Sequence, residues 1–386
     1  MGVRRVLLYQ ATPEAETSPL QPLRALCRYL LDLRIECEVF EASGAGSDVA
    51  GSFEDRLDRA RPDVLLAFGA QGATAVDLGL ARRRGIPTAL VLRDSTLRRA
   101  SELIGFDAVI VHSQFLADYY ANSQGIRCAV LPEPIEPGDP LQAKGVQAPY
   151  ITFIDPTPDN GVFALVRIAD ELGRRRPDIP FLVVEGRGTE ADLVACGVDL
   201  KAHSNVHLMI RPAEQAAIWS VTRIALVPAS TWDSPGTVAA AAKAFGIPVV
   251  ASERGALEEV VGDAGLVLPL PRWLTSATRI LPTAEDVVPW VEALIGLWDD
   301  AEQHSHYRAV ARASVPSRVG ERYARFLGGL RSGTGVPRAE VSRRCRWAVL
   351  VPYLHAIEYD CEVGLRKLEE RGVHVVRCRG SSAVTD

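Results

Sequence analysis

The sequence predicts an α/β fold built from two parallel β-sheets. Short apolar runs rich in β-branched residues alternate with amphipathic stretches from the first residues onward. Such repeated β-α units, with strands that are apolar throughout, are typical of a parallel sheet covered by helices on both faces. A proline-rich stretch between residues 131 and 150 interrupts the alternation and divides it into two series.

The first series, residues 1–132, predicts a Rossmann-like domain with right-handed crossovers. Its strands are expected at 6–9, 37–40, 64–68, 88–92, 108–111 and 128–131, with amphipathic helices at 20–33, 73–83 and 113–122. The five prolines that follow between 131 and 150 each fix φ and remove a backbone donor. We therefore expect a linker at 133–149 and not a further helix or strand.

The second series, residues 150–330, predicts another Rossmann-like domain. Its strands are expected at 150–154, 181–184, 206–210, 224–228, 248–252 and 265–268. Helices are expected to end near 175 and at 245, and to cover about 190–196, 213–220, 257–261, 284–298 and 319–330.

Residues 331–386 do not continue either series. Gly333, Gly335 and Pro337 indicate a linker, and the pattern beyond it predicts a strand at 347–352, a helix at 357–371 and a strand at 373–377. A lone β-α-β unit cannot bury both faces of its sheet. Either this unit docks on the second domain or the chain is a fragment of a longer tandem protein, and the second alternative is favoured.

Composition and charge narrow the class of protein. The net charge is -5, and 47% of the residues are hydrophobic, so the sequence offers no broad attraction to nucleic acid. The seven cysteines are scattered and form no CxxC pair, which argues against a disulfide framework or a zinc site and favours a reducing cytoplasm. No apolar run is long enough to span a bilayer. We expect a soluble cytoplasmic protein.

One stretch carries a family resemblance. Over residues 206–268, short apolar strands end in Pro, Ser or Gly and lead into helices, and Gly246-Ile247-Pro248-Val249 opens one of these strands. This stretch resembles the nucleotide-sugar domain of GT-B glycosyltransferases, specifically the retaining group called family 4. The resemblance extends over residues 1–330 and implies two Rossmann-like domains that face a cleft.

The resemblance also implies an activity. The second domain would bind a nucleotide-diphosphate sugar, and the first would hold an acceptor that the sequence does not identify. Transfer would retain the anomeric configuration and would need neither a metal nor another cofactor. The C-terminal tail weakly resembles the start of a GT-A-type glycosyltransferase domain, so a downstream glycosyltransferase domain in a longer chain is a further expected partner.

Alignment on the family pattern assigns the donor site. Members carry a Glu-x7-Glu pair, which falls on Asp233 and Ala241 here. Asp233 keeps a carboxylate for the sugar hydroxyls, whereas Ala241 has no acceptor for the ribose. Ser234, Gly236, Thr237 and Val238 open the next helix, where backbone N–H groups and the positive end of the dipole attract phosphate. The alternative interpretation is an ordinary helix start without a ligand.

Cationic positions differ from the family pattern. The family's Lys-Gly falls on Asn160-Gly161, and Asn supplies no charge. Arg187 or Arg211, each at a predicted strand-to-helix turn, is a candidate for the missing cation, although each is also explained as a surface arginine. The family's histidine falls on Arg93, which suits a departing phosphate because it is always charged and donates in a planar fork. It is equally explained by pairing with a carboxylate.

These replacements leave three functions open. The first is an active retaining sugar transferase in which Asp233 and Arg93 act at the reaction centre. The second is a catalytically degenerate GT-B module that binds glycan or scaffolds a downstream domain. The third, an epimerase or phosphorylase acting on a sugar phosphate, would need more cations than this cleft offers.

Overall fold

The structure is a computed structural model that describes residues 3–11, 20–42, 53–68, 75–95, 106–135, 148–212 and 214–332. The predicted β-α-β unit at 347–377 lies outside these residues, as does most of the predicted linker. None of the helices in these ranges is long and apolar enough to cross a bilayer.

The first sheet has six parallel strands, as the sequence predicts. They are β1 (Arg5–Ala11), β2 (Glu36–Ala42), β3 (Val64–Phe68), β4 (Thr88–Val91), β5 (Ala108–Val111) and β6 (Ala129–Val130). Their order across the sheet is β2-β1-β3-β4-β5-β6. The helices among them are α1 (Leu20–Asp32), α2 (Phe53–Ala60), α3 (Ala75–Arg83) and α4 (Gln114–Gln124).

The second sheet is also parallel and six-stranded. Its strands are β7 (Tyr150–Ile154), β8 (Phe181–Val184), β9 (Val206–Met209), β10 (Thr222–Val227), β11 (Val249–Ser252) and β12 (Gly265–Leu268). The helices are α5 (Val162–Arg175), α6 (Glu190–Ala195), α7 (Gln215–Val221), α8 (Thr237–Ala244), α9 (Leu257–Val261), α10 (Ala284–Asp299), α11 (Ala301–Ala313) and α12 (Val319–Ser332).

The strand order of the second sheet fixes where a ligand can enter. The order is β12-β11-β10-β7-β8-β9, so the chain builds outward in one direction from β7 and in the other from β10. In open α/β sheets, the loops leaving two such neighbouring strands diverge to opposite faces and open a crevice at the carboxyl ends. The crevice of this sheet therefore lies beyond Ile154 and Val227.

Both sheets are covered by apolar side chains on both faces. Leu7 and Tyr9 of β1 belong to one buried cluster, whereas Val6 and Leu8 belong to another. This alternation follows from the two-residue period of a strand. The strands β3, β4 and β5 are buried throughout. The last helix, α12, packs against α1 and β3 and so belongs to the core of the first sheet.

Candidate functional site

The candidate site lies where the carboxyl ends of both sheets contribute loops. The part of the chain that contains the first sheet, called the first half below, supplies the turn after β4, residues 92–95, and the segment after β6 that contains Glu133. The part that contains the second sheet is called the second half. The second half supplies the loops after β7, β8, β10 and β11. Hydrogen bonds join the two sets of loops directly, and they involve the residues that the sequence analysis assigns to the donor site.

The N-terminus of α8 has the geometry of an anion site. Gly236 precedes the helix with a φ of +73°, and no capping bond from a side chain is present among the described residues. A Cβ at Gly236 would lie 2.9 Å from Cγ2 of Val260, so the loop depends on glycine for both its backbone angle and its packing. The first N–H groups of a helix have no partner within the helix, so this end offers donors and a positive dipole to a ligand.

Arg93 reaches this helix end from the first half. Its Nη2 donates to Oε1 of Glu133 over 2.7 Å and to Oγ1 of Thr237 over 3.2 Å. The Glu133 side chain is only 8% exposed, whereas Arg93 keeps 28% of its surface open. The pair therefore holds a guanidinium at the α8 terminus with one side still accessible. Sequence analysis missed Glu133, which shows no pattern beyond its place shortly after β6.

The surroundings of Glu133 are poorly hydrated. His112 lies close by, with Nδ1 3.0 Å from the Leu131 carbonyl, and burial lowers the pKa of His112 even though the Glu133 charge acts in the opposite direction. Burial also raises the pKa of Tyr323, whose hydroxyl has no hydrogen-bond partner among the described residues. Coulomb interactions are stronger where water is excluded, so Arg93 is held more firmly than an arginine in a surface pair.

Asp233 also bonds across the crevice. Its carboxylate accepts from the hydroxyl of Ser95 over 2.5 Å, from the Ser95 N–H over 3.2 Å and from the Thr231 hydroxyl over 2.5 Å. Ser234, the next residue, is buried, and its carbonyl accepts from the N–H of Ala256 over 2.8 Å. Asp233 thus lies four residues before the start of α8. No pattern in the sequence predicts that Ser95 contacts Asp233.

Asn160 and Arg187 lie together, but a buried carboxylate binds both. Asp155 follows β7 with a φ of +63° and is 7% exposed. Its side chain accepts from the amide of Asn160 over 3.1 Å, from Nε of Arg187 over 3.1 Å and from the N–H of Gly188 over 2.9 Å. The two residues proposed for phosphate contact are therefore part of a hydrogen-bond network centred on Asp155.

Two positions around this network require glycine, because neighbouring atoms leave no room for a Cβ. Gly161 has a φ of +87°, and a Cβ there would lie 1.9 Å from the Pro228 carbonyl oxygen. Gly161 thereby lets the loop after β7 contact the end of β10. A Cβ at Gly186 would lie 2.7 Å from the Asp155 carboxylate. The Gly-Arg-Gly sequence after β8 is thus shaped by Asp155, which sequence analysis did not single out as its partner.

The remaining predicted residues differ in exposure. Arg211 follows β9, is half-buried and forms no ion pair with any described residue. Val238 is half-buried in the first turn of α8. Ala241 is 7% exposed and packs in the apolar cluster between α8 and the second sheet. Within the described ranges, no group of three or more His, Cys, Asp or Glu side chains is arranged to hold a metal ion.

A third contact between the halves involves Glu259 of α9. Its carboxylate accepts from the N–H of Gln114, at 2.9 Å and 2.8 Å to its two oxygens, and from that of Phe115 over 3.1 Å. These N–H groups lie at the start of α4, where backbone donors have no acceptor within the helix itself. A carboxylate from the second half therefore caps a helix of the first.

Comparison with known proteins identifies the architecture. No family model matches the sequence, and no curated protein matches it significantly. Among solved structures, a glycosyltransferase from Rickettsia africae ESF-5 superposes with a TM-score of 0.64 at 12% identity, covering 86% of this chain and 100% of that one. Anabaena HepE in complex with UDP and glucose gives 0.59 at 16% identity, covering 83% and 99%.

A third structure, AviGT4, is a glycosyltransferase involved in avilamycin A biosynthesis. It superposes with a TM-score of 0.57 at 17% identity, covering 86% of this chain and 98% of that one. At such low identity the likeness establishes the fold alone. The two parallel sheets, their facing carboxyl ends and these neighbours together confirm the predicted GT-B architecture of two Rossmann-like domains.

Proposed function

We propose that the chain transfers a sugar from a nucleotide-diphosphate donor to an acceptor hydroxyl with retention of configuration. The observation that carries the proposal is the meeting of Arg93 with the uncapped start of α8 at Thr237. Negative charge develops on the diphosphate as it leaves, and fixed positive groups aimed at that charge lower the barrier. Fold neighbours that include HepE with bound UDP and glucose support the same class of donor.

Each residue of the crevice then has a role. The N–H groups of Gly236, Thr237 and Val238 receive the diphosphate, and Arg93 neutralises it. Asp233 accepts hydrogen bonds from hydroxyls of the donor sugar. Catalysis in this scheme is positioning and electrostatic stabilisation, with the positive charge supplied by the chain itself, so the proposal includes no metal or cofactor.

The loops after β7, β8 and β9 complete the proposed donor site. Asn160 and Gly161 shape the loop after β7, and Arg187 stabilises that loop through Asp155. Arg211, at the end of β9, is the candidate that remains available to a ligand because it has no ion pair among the described residues. Of the two cation candidates, we therefore assign the direct ligand role to Arg211.

Calorimetric titration with UDP, GDP, ADP and dTDP, and with their sugar conjugates, tests the proposal. We expect one nucleotide to bind with micromolar affinity. The double variant Arg93→Gln/Glu133→Gln removes both charges without leaving a buried carboxylate unpaired. Hydrogen bonds to charged groups contribute about 1.5–3 kcal/mol, so the affinity should fall about ten- to a hundredfold.

The control for this experiment is Arg5→Gln. Arg5 is an exposed arginine paired with Glu36 at the amino end of β1. It lies at the end of the sheet opposite to the crevice, so its loss should not change the affinity for nucleotide. Asp233→Ala should abolish the preference for a sugar conjugate over the bare nucleotide. Absence of heat from every nucleotide at millimolar concentration, or equal affinity of the wild type and the double variant, would refute the proposal.

A second candidate is a GT-B module that binds glycan without transferring sugar, or that scaffolds a downstream glycosyltransferase domain. It is supported by the commitment of Asn160 and Arg187 to Asp155 and by the burial of Ala241 without an acceptor. The two candidates differ in one observable. The module binds saccharide but no nucleotide, whereas the transferase binds both.

A further inference from the structure

An exposed tryptophan stands beside the proposed donor site. Trp232 lies between Thr231 and Asp233 in the loop after β10, and 51% of its surface is exposed. A single exposed aromatic side chain is ordinary, whereas a contiguous exposed apolar surface marks a binding site, so the neighbours of Trp232 decide its meaning. Its position directly before Asp233 places it on the crevice loop itself.

Two aromatic rings of the first half flank this tryptophan. The Tyr119 ring centroid is 5.1 Å from that of Trp232, and the Phe115 centroid is 6.2 Å away. The two residues are four apart on α4 and so lie on one face of the helix. Their planes are tilted by 57° and 58° to the indole, so neither ring stacks flat upon it. The three rings form an aromatic cluster with members from both halves.

Polar groups lie next to the aromatic cluster. Gln114 and Asp118 form the neighbouring stripe of α4, are exposed and share a hydrogen bond of 2.7 Å. On the other side, the Asp233 carboxylate and the Ser95 hydroxyl meet over 2.5 Å. An apolar surface bordered by carboxylates and an amide suits a ligand with one apolar face and hydroxyl groups around its edge.

We propose that Trp232, Phe115 and Tyr119 bind a sugar ring of the acceptor. This rests on the proposed function, and it specifies the acceptor as a saccharide. The C–H groups on one face of a pyranose are weakly positive and complement the negative face of the indole. A nucleobase on this surface would bring its phosphates close to the exposed carboxylate of Asp118, and the repulsion between like charges disfavours that ligand.

Trisaccharides with defined linkages provide the test. Maltotriose, cellotriose, chitotriose and mannotriose are titrated against the full chain, with saturation-transfer NMR to detect contact and calorimetry to measure the affinity. At least one should bind the wild type. Trp232→Ala should weaken that binding about tenfold or more, equivalent to about 1.4 kcal/mol, and Trp232→Phe should restore part of it.

Trp273→Ala is the matched control. Trp273 is 42% exposed, lies between β12 and α10 and contacts no aromatic ring among the described residues, so its loss should leave saccharide binding unchanged. The affinity for nucleotide is measured in parallel for every variant. It should not change in Trp232→Ala, which separates loss of the aromatic surface from a general opening of the crevice.

Three results would overturn the inference. In the first, no trisaccharide binds the wild type. In the second, the wild type and Trp232→Ala bind saccharide with equal affinity. In the third, Trp232→Ala loses as much affinity for nucleotide as for saccharide. Failure of the proposed function gives a different pattern, in which saccharide binding depends on Trp232 but no nucleotide binds. In that case the aromatic cluster is the glycan site of a non-catalytic module.

Discussion

Replacement of Asp155 by Asn tests whether this carboxylate organises the loops after β7 and β8. Asn is among the residues that best tolerate a positive φ, so the substitution changes the charge and not the backbone angle of +63°. It keeps one oxygen for the N–H of Gly188. The other oxygen becomes an NH₂ that faces donors from Asn160 and Arg187.

The expected loss follows from these two contacts. A hydrogen bond to a charged group contributes about 1.5–3 kcal/mol, which is the share expected for the bond from the half-buried Asn160 to the carboxylate. The bond from the same amide to the Asp155 carbonyl, 2.9 Å long, stays in place. The Arg187 side chain is 42% exposed, so its share is closer to that of a surface pair, about 0.2–1 kcal/mol. Together, Asp155→Asn should lower the free energy of unfolding by about 2–4 kcal/mol.

Urea denaturation followed by circular dichroism measures this loss. Arg187→Gln is the control, because it removes only the exposed partner and should cost about 1 kcal/mol or less. Equal slopes with different midpoints would attribute the change to stability. A loss below about 1 kcal/mol for Asp155→Asn, or an equal loss for Arg187→Gln, would show that Asp155 does not hold these loops together.

Three further predictions concern backbone, pH and the contact between halves. Gly161→Ala should prevent folding because its Cβ would meet a carbonyl oxygen at 1.9 Å, whereas Gly197→Ala, with a φ of +81° but no atom within 4 Å, should cost only about 1 kcal/mol in a thermal melt. Because burial lowers the pKa of His112, the unfolded chain binds more protons below about pH 6.5, so the urea midpoint should fall from pH 7.5 to 5.5, and less steeply in His112→Gln. Glu259→Gln should lower the melting temperature by removing a charged cap from α4, whereas Glu258→Gln, on an exposed neighbour, should not.

The sequence predicts elements best where apolar runs end abruptly at turn residues. The bounds of β3, β5, β7, β8 and β12 match the prediction for this reason. Helices α2 and α11 were not predicted. In α11 only His304 and Ala311 are buried, so the helix shows almost no apolar stripe from which a period could be recognised. Its position depends on packing against the elements around it.

For the site, too, local patterns in the sequence were informative and long-range contacts were not. Asp233, Gly236 and Thr237 were assigned to the donor site because they share one loop whose order of residues resembles a known pattern, and that assignment stays a prediction. Their partners could not be assigned, since Arg93 and Thr237 are 144 positions apart, and Ser95 and Asp233 are 138 apart. No local pattern records which side chains the two sheets bring together. Contacts across a crevice become visible only in three dimensions.

The hydrogen bonds across the crevice determine how much binding free energy a ligand can gain from each residue. Thr237 and Asp233, which the proposal gives to the donor, already bond to Arg93 and Ser95. A donor that takes over these bonds exchanges one hydrogen bond for another, so each contributes only the difference between the two partners. The net gain in binding free energy must come from groups without an internal partner, and the first N–H groups of α8 have none among the described residues. On the proposed function, most of the binding free energy therefore comes from the diphosphate, and the donor sugar is selected by how well it replaces Ser95.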